Sequence, residues 1–386
     1  MTAESSLDLT VGKRLSEQVL APMKEAFVGK DEIIDLLGVS LVARENLFIL
    51  GPPGTAKSAL VQDLARRIEG HVFDYLLTRF TEPNEIFGPF DIRKLREGEL
   101  VTNTEGMLPE AAFVFLDELL NANSAILNSL LMVLNERVFR RGRETRKLPT
   151  LVVVGASNRL PEDEALGALF DRFLLRVRCD NVNQEELANV MVAGWKLDMF
   201  DEVARAQISL GDVRSLHHQL RHADLTAVLP DYVELIHRLR HAGIMVSDRR
   251  AVKLQRILAA SALLCGRLKV NRTDMWVLRY IWDTEQQVDV LATIVGEVIG
   301  RADEQELDQS HPRARAAESP DAEHLANDLD RIANKLSEAS LPIHEKSYVQ
   351  DQLGLLASRC QWVQDDQQRK YLEDRVNDML SKLGSA

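Results

Sequence analysis

Residues 47–59 read LFILGPPGTAKSA, and this stretch decides the fold. An apolar run of strand length breaks at Gly51 into a Gly/Pro turn, and Lys57 and Ser58 then open an apolar pattern of helical period. Successive backbone N–H groups at the start of a helix form a concave anion site, and small residues let a polyphosphate approach it. The stretch therefore predicts a strand, a phosphate loop and a helix.

The residue types of this loop suit a nucleotide with its metal ion. Lys57 is expected to reach the β- and γ-phosphates as a cation, and the Ser58 hydroxyl to complete a Mg2+ shell. The remaining residues expected around the phosphates are Gly51, Pro52, Pro53, Gly54, Thr55 and Ala56. Ala56 stands where the general pattern has glycine, and we expect its methyl group to be tolerated if the backbone there keeps φ below zero. An ordinary Gly/Pro turn before a helix is the alternative.

Composition bounds the class of protein. The chain has 386 residues, enough for two or three domains, and 47 basic against 59 acidic side chains give a net charge of −12. That balance argues against nonspecific binding to nucleic acid or anionic lipid. The first residues have no basic segment followed by an apolar core, and no apolar run approaches the roughly 18 residues of a membrane helix. We therefore expect a cytoplasmic protein without a membrane span.

A second apolar run, residues 112–116, ends in two acids, Asp117 and Glu118. Unpaired charges at the end of a buried strand are costly to desolvate, so their place needs an explanation. In a parallel sheet the carboxyl ends of the strands face the ligand crevice, which would put both acids beside the phosphate loop. Asp117 then suits the Mg2+ ion, and Glu118 suits a general base that orients the attacking water. A helix cap after a strand is the alternative.

A third apolar run, residues 151–157, ends in Asn158, whose amide can hold a water and donate to a phosphate oxygen. Arg172 stands just before a last strand at residues 174–177. An arginine at the edge of such a sheet is far from its own phosphate loop, which makes it a candidate finger into a neighbouring subunit.

Two segments of the core predict hairpins. Residues 87–106 alternate Gly, Pro and charge with short apolar stretches, which indicates a hairpin insertion. Residues 137–147 read RVFRRGRETRK, a hairpin whose basic density suits nucleic acid or an acidic peptide, or simply a solvated surface.

The rest of the chain is predicted to be helical. Arg249 lies in the first turn of a helix that Ser247 or Asp248 can cap. A cation at this end of a helix opposes the helix dipole, which suggests that Arg249 has an anionic partner. A plain surface charge is the alternative. Residues 302–323 are poor in large apolar side chains and predict a linker. The expected domains are an α/β core with a parallel sheet at residues 1–180, an α-helical lid at 181–301, the linker, and a helical C-terminal module at 324–386.

Taken together, these motifs resemble the MoxR branch of the AAA+ ATPases, within the P-loop NTPase fold class, and most closely its RavA-like proteins. The matching segments are residues 51–58, 78–80, 85–89, 108–110, 115–118, 126–131, 135–137, 156–158, 171–173 and 247–250. In that family alanine commonly precedes the phosphate-loop lysine. RavA-like chains also insert a small β-rich module in the C-terminal region, for which the predicted linker leaves no room.

The resemblance implies a hexameric ring with ATP at subunit interfaces. It implies that Lys57 and Ser58 contact phosphate and Mg2+, that Asp117 binds Mg2+, that Glu118 is the base and that Asn158 is the sensing amide. It also implies Arg172 as the finger acting in trans and Arg249, less securely Arg250, as the sensor arginine of the lid. Such ATPases are thought to remodel a partner with a von Willebrand A (vWA) domain. Two other functions stay open: an ATP-dependent nucleic-acid motor that uses residues 137–147, and a nucleotide-dependent scaffold that does not hydrolyse ATP.

Overall fold

The computed structural model describes residues 8–141, 144–161, 164–199, 208–315 and 365–384, with short pieces at 325–326, 329–330, 332–333, 353, 356–357 and 360. The chain divides into two compact units, Met1–Arg315 and Ala316–Ala386. The first unit contains the sheet, the phosphate loop and the helices that follow them.

Five parallel strands form the central sheet of the first unit, in the order β2-β3-β6-β1-β7. Their bounds are β1 Leu47–Leu50, β2 Val72–Leu76, β3 Phe113–Asp117, β6 Val152–Ser157 and β7 Leu175–Arg178. Strand β1 pairs with β6 on one side and with β7 on the other, so Leu47 lies opposite both Val154 and Leu175. All four residues of β1 are buried, as expected for a central strand covered on both faces. The parallel α/β fold predicted from the apolar runs is confirmed.

Helices surround the sheet and form the remainder of the first unit. Their bounds are α1 Thr10–Leu15, α2 Ala21–Ala26, α3 Asp31–Ala43, α4 Lys57–Arg67, α5 Pro83–Phe87, α6 Ile92–Arg96, α7 Ser124–Glu136, α8 Glu164–Phe170, α9 Leu187–Met199, α10 Leu210–Gln219, α11 Leu229–His241, α12 Asp248–Leu264, α13 Gln287–Ile299, α14 Glu304–Asp308 and α15 Pro312–Arg315. A π-helical stretch, Ser16–Leu20, joins α1 to α2, and a 3-10 helix, Arg272–Tyr280, precedes α13. Ser247 caps α12 by accepting from the backbone N–H of Arg250.

One of the two predicted hairpins is present as expected, and the other has a different structure. Residues 137–147 form the antiparallel pair β4 Val138–Arg141 and β5 Glu144–Lys147, whose turn residues 142–143 lie outside the described residues. The insertion at residues 87–106 pairs only at Phe90 and Thr102, and between them the short helix α6 replaces the expected strand continuation. The Asp91 side chain caps α6 by accepting from Arg93 and Lys94 N–H groups, which favours a helical turn over an extended tip.

Residues 302–315, the first part of the predicted linker, belong to the first compact unit, which extends to Arg315, and residues 316–323 lie outside the described residues. Arg313 donates to the buried Asp35 of α3 at 3.0 Å. The His311 ring stacks on Trp276, with ring centroids 4.7 Å apart. Asp303 caps α14 in a reciprocal capping box with Glu306. These polar side chains, rather than a large apolar face, hold residues 302–315, which is why composition alone predicted a linker there.

The second unit contains one long described helix, α16 Asp366–Gly384. Its buried side chains pack with those of the short described pieces as a separate cluster: Leu325, Leu329, Ile332, Leu353, Leu356, Cys360, Leu372, Val376 and Met379. The helical spacing of these residues in the sequence predicted such a module. Across the parts of the chain that the structure describes, no helix is both long and apolar enough to cross a membrane.

Candidate nucleotide site

The phosphate loop begins where β1 leaves the sheet. The Gly51 N–H donates to the Ser157 carbonyl at 2.9 Å, which extends the pairing of β1 with β6 by one residue. A Cβ atom on Gly51 would lie 2.2 Å from the Cys179 carbonyl oxygen, so only glycine fits between these two strand ends. Gly54 then takes a φ of +81°, in the left-handed region that glycine enters without steric cost.

Ala56 corrects an expectation from the sequence. Its φ is +65°, so the backbone is left-handed at this position, and the condition under which we expected the methyl group to be tolerated, a negative φ, is not met. The residue stands immediately before α4 and turns the chain so that the first N–H groups of the helix face the loop. An L-residue in this region costs about 1–2 kcal/mol. The loop therefore holds a strained alanine immediately before α4.

Lys57 lies across the loop that precedes it. Its ammonium group donates to the carbonyls of Gly51 at 3.0 Å and Pro52 at 2.7 Å, and the side chain is 6% exposed. The Thr55 hydroxyl donates to the same Pro52 carbonyl at 2.9 Å. The first N–H groups of α4, at Lys57 and Ser58, have no partner within the helix by helix geometry. Cation and N–H groups together suit an anion at this place.

The acidic end of β3 has an unusual backbone. Glu118 adopts φ 49° and ψ 42°, and its N–H donates to the Asp117 carboxylate at 2.9 Å. A bulky residue in this region signals strain, and such residues cluster at functional sites. Burial and the neighbouring Asp117 charge raise the pKa of Glu118, while the charges of Lys57 and Arg159 oppose the rise. The Lys57 charge therefore acts on the Glu118 carboxylate, and the roles expected of Lys57, Asp117 and Glu118 remain predictions.

Two polar residues near Glu118 were not predicted. The Asn121 amide donates to the Glu118 carboxylate at 3.4 Å, and Arg159 donates to the Asn121 oxygen at 3.2 Å. Arg159 follows Asn158 at the end of β6, so the strand-end argument that selected Asn158 could have selected it too. Asn121 belongs to the 3-10 turn Leu119–Asn121 after the strand, for which the sequence gives no comparable signal.

A cleft of about 550 Å³ opens at the carboxyl edge of the sheet. It is lined by Leu50, Gly51, Pro52, Pro53, Asn158, Arg159, Leu160, Arg178, Asp180 and Glu285. The cleft therefore unites the start of the phosphate loop with Asn158. Arg178 and Asp180 lie at the end of β7, so the same reasoning about strand ends could have predicted them. Glu285 comes from the lid, and the sequence around it does not mark it as a cleft residue. A cleft at the carboxyl ends of parallel strands is where open α/β sheets bind ligands.

Arg172 and Arg249 are not among the residues that line this cleft. The Arg172 carbonyl is bound by Asn46, which precedes β1 at the opposite end of the sheet. Arg249 is exposed in the first turn of α12. The next residue, Arg250, is 5% exposed and donates to the Asp283 carboxylate at 3.1 Å, so it serves the packing of the lid. Of the two lid arginines only Arg249 is accessible, and the roles predicted for Arg172 and Arg249 remain predictions.

Four basic side chains of the hairpin at residues 137–147 have polar contacts within the chain, and Arg143 lies outside the described residues. Arg137 donates to Asn46, and Arg140 pairs with Glu136 at 3.2 Å. Arg141 donates to the Gly88 carbonyl at 2.8 Å, and Arg146 donates to Thr104 at 2.7 Å. These contacts fix the hairpin on the insertion at residues 87–106 and on the core. They lessen the case for a nucleic-acid surface at this hairpin.

The fold and the cleft define a class of protein: a P-loop ATPase core followed by a helical lid, the AAA+ arrangement. Residues 13–218 match the family model described as the MoxR domain in the MoxR-vWA-beta-propeller ternary systems, and residues 228–295 match the AAA lid domain. The chain belongs to the MoxR family of AAA+ ATPases.

Several known proteins are similar to the chain. An uncharacterized protein of Methanocaldococcus jannaschii is 33% identical over 76% of this chain and 77% of its own length. Chaperone MoxR1 of Mycobacterium tuberculosis is 26% identical over 56% of this chain and 57% of its own length. The solved structure of a candidate ATPase from Cytophaga hutchinsonii superposes with a TM-score of 0.62 at 18% identity, over 76% of this chain and 96% of that one. At this identity the structure supports the fold alone.

Proposed function

We propose that the chain hydrolyses ATP with Mg2+ in a hexameric ring and uses the energy to remodel a partner protein. The observation that carries the proposal is the shared cleft, in which residues of the phosphate loop, Gly51 to Pro53, and the strand-end amide Asn158 face one space. The acidic pair Asp117 and Glu118 ends the next strand of the same sheet, β3, which pairs with β6. A cytoplasmic location stays a prediction from the sequence.

The oxygen atoms present suit Mg2+. The Ser58 hydroxyl and the Asp117 carboxylate are both half-buried at the sheet edge. Within the described ranges no group of three or more His, Cys, Asp or Glu forms a cage for a metal. A site of one carboxylate and one hydroxyl, completed by phosphate and water, is what Mg2+ prefers. Ser58 and Asp117 would hold the ion, which when bound would supply positive charge against the charge that develops on the phosphates.

The chain's own residues supply the other parts of hydrolysis. Lys57 holds the phosphates by charge, and the Glu118 carboxylate, whose backbone is left-handed, feels the charges of both Asp117 and Lys57. A carboxylate whose pKa is raised by its surroundings is a better proton acceptor than an ordinary one. Asn158 donates its amide to a phosphate oxygen. Arg249 of the lid adds a cation from the exposed start of α12.

The position of Arg172 supports the proposed ring. Its carbonyl is fixed near the beginning of β1, whereas the phosphate loop follows the end of that strand. Four residues of strand span about 13 Å, so Arg172 serves a nucleotide other than its own. An arginine supplied by a neighbour stabilises the charge of the transferred phosphoryl group. The description of the matching family model, which names MoxR-vWA systems, supports a vWA-domain protein as the partner that is remodelled.

The solution mass with and without ATP and Mg2+, measured beside ATPase rates over a range of protein concentrations, tests the proposal. We expect hexamers with nucleotide and a specific activity that rises with concentration, because each site needs two subunits. A monomer with concentration-independent turnover would refute the shared site. Arg172→Ala should abolish turnover. Mixing Arg172→Ala subunits with Glu118→Gln subunits, which supply an intact arginine, should restore turnover.

A further inference from the structure

Asn46 is a buried amide, 1% exposed, that joins three segments of the core just before β1. Its Nδ2 donates to the Arg172 carbonyl at 2.8 Å and, more weakly, to the Leu134 carbonyl at 3.4 Å. Its Oδ1 accepts from the Arg137 guanidinium at 2.6 Å. A guanidinium can only donate, so Arg137 fixes which end of the amide faces it. The donor end of Asn46 is thereby directed at the backbone of Arg172.

The backbone around Arg172 is attached to β1 at further points. The rings of Phe170 and Phe173 meet the Phe48 ring edge-on, with centroids 4.9 and 5.8 Å away. The segment that carries Arg172 is therefore held to β1 by two aromatic contacts and by the hydrogen bond from Asn46. The strand that leads into the phosphate loop thus also carries the candidate finger.

The Arg172 side chain has few polar contacts among the described residues. It is 24% exposed, and its ion pair with Asp171 is long, at 3.6 Å. Its Nε atom is buried without a hydrogen-bond partner among the described residues. The direction of the guanidinium consequently depends on the position of its backbone, which Asn46 helps to fix.

The residue before Asn46 contacts the lid. Glu45 is 4% exposed and lies 3.4 Å from both Lys253 and Arg256 of α12. The same helix begins beside the accessible Arg249. Two adjacent residues at the beginning of β1 therefore bind the finger segment and the lid helix.

We propose that Asn46 is a positioning residue that holds Arg172 in place for the nucleotide of the neighbouring subunit. The inference rests on the proposed function, in which that nucleotide is shared between subunits. Asn46 acts through Arg172 and not on its own cleft, which opens at the other end of β1. Its loss should therefore affect the neighbour's hydrolysis while the subunit's own nucleotide binding is kept.

The first test is Asn46→Asp, which keeps the shape and the acceptor for Arg137 but removes the donor to the Arg172 carbonyl. A displacement of about 1 Å in a positioned group can lower turnover about 10²-fold, so we expect a fall in kcat of that order with KM for ATP unchanged. The matched control is Thr150→Val. Thr150 is fully buried just before β6 and donates to the Ala111 carbonyl at 3.0 Å, so the variant removes a similar bond at the same edge of the sheet. It should keep wild-type kcat.

The second test mixes Asn46→Asp subunits with Glu118→Gln subunits. The latter lack the base but present an intact Arg172, so turnover per Asn46→Asp subunit should rise with the fraction of Glu118→Gln. A mixture of Arg172→Ala with Glu118→Gln tests the shared site itself. Rescue of Arg172→Ala but not of Asn46→Asp would overturn the role of Asn46 and leave the shared site standing. Failure of both mixtures would overturn the shared site and, with it, this inference.

Wild-type kcat in Asn46→Asp would also overturn the proposal. If that variant does not fold, Asn46→Ala replaces it, because alanine removes the amide without placing a charge against the carbonyls. Retained binding of ATP shows that the phosphate loop is intact in either variant. A loss of binding and turnover together, without rescue by Glu118→Gln, would assign Asn46 to the stability of the core.

Discussion

The Arg176 guanidinium, completely buried on β7, donates to the Asp283 carboxylate of the lid at 2.6 Å. The same carboxylate accepts from Arg250 at 3.1 Å, so one acid separates two cations. Arg176 also donates to the carbonyls of Ile281 and Trp282. Burial and the nearby Arg250 charge lower the pKa of Arg176 to about 9. This cluster joins the edge strand β7 to the lid. Asp283 stands two residues before Glu285, which lines the cleft.

Asp283→Asn should therefore lower the free energy of unfolding by about 3 kcal/mol, because it leaves two buried cations facing each other. Adding Arg250→Met should recover part of the loss, since it removes the repulsion. Urea unfolding of the two single variants and the double variant measures this coupling. Asp308→Asn is the control, because Asp308 is 85% exposed beside Arg315 and should change stability by at most about 0.5 kcal/mol. Additive effects of Asp283→Asn and Arg250→Met would contradict the arrangement.

The left-handed backbone at Ala56 makes a second prediction. Glycine removes the strain of an L-residue but gives the unfolded chain more freedom, so Ala56→Gly should be neutral or stabilising by up to about 1 kcal/mol. Ala59→Gly makes the same change three residues later, inside α4, and should destabilise by about 1 kcal/mol. Thermal unfolding of the two variants compares them directly. Destabilisation of equal size at both positions would mean that residue 56 is not strained.

The base assignment predicts the effect of Glu118→Gln. The amide keeps the size of the side chain but cannot accept a proton, so turnover should fall by at least about 10²-fold while ATP still binds. Glu110→Gln is the control, since Glu110 precedes the beginning of β3 and accepts from Thr104 at 2.7 Å, away from the cleft. ATPase rates and equilibrium binding of ATP are the measurements. Undiminished hydrolysis in Glu118→Gln would remove it as the base and favour the nucleotide-dependent scaffold.

The sequence predicted what short segments determine by themselves. An apolar run that stops at a polar residue marks a strand end, and this rule places Asp117 and Asn158 at the carboxyl edge where the structure has them. It could not predict partners that are remote in the chain. Arg176 and Asp283 are 107 residues apart, and Asn46 and Arg172 are 126 apart, so only tertiary packing brings them together. Ala56 shows a third limit, because its φ follows from the loop around it and not from its residue type.

His311 makes stability depend on pH. Its ring is 3% exposed. Its Nδ1 atom accepts from the Arg313 N–H at 3.2 Å, so this atom must carry no proton and the ring must be neutral. Burial lowers the pKa of His311 from 6.5 to about 4. Because the unfolded state binds the proton more readily, stability from this group is complete above pH 6.5 and is lost as pH falls toward 4, by up to about 3 kcal/mol.

The variant His311→Phe keeps a ring against Trp276 and cannot titrate, so its unfolding free energy should fall less between pH 7 and pH 4.5 than that of the wild type. His241→Phe, at an exposed position, should leave the pH dependence as it is. Urea unfolding at several pH values makes the comparison. Parallel curves for the wild type and His311→Phe would show that His311 does not titrate on unfolding.

Because the first compact unit extends to Arg315, two truncated chains should behave differently. A chain ending after Arg315 keeps the whole first unit, so ATP should bind with wild-type affinity. A chain ending after Ala302 loses His311 and Arg313, which leaves Lys24, at 2.6 Å, as the one ion-pair partner of the buried Asp35 among the described residues. Removing one partner of a buried charge cluster costs about 3 kcal/mol or more, so this chain should unfold at a lower temperature. Thermal unfolding and ATP binding of both chains test the boundary. Equal stability of the two chains would place it at residue 302, as composition predicted. Weakened ATP binding by the chain that ends after Arg315 would assign the C-terminal module to the catalytic unit.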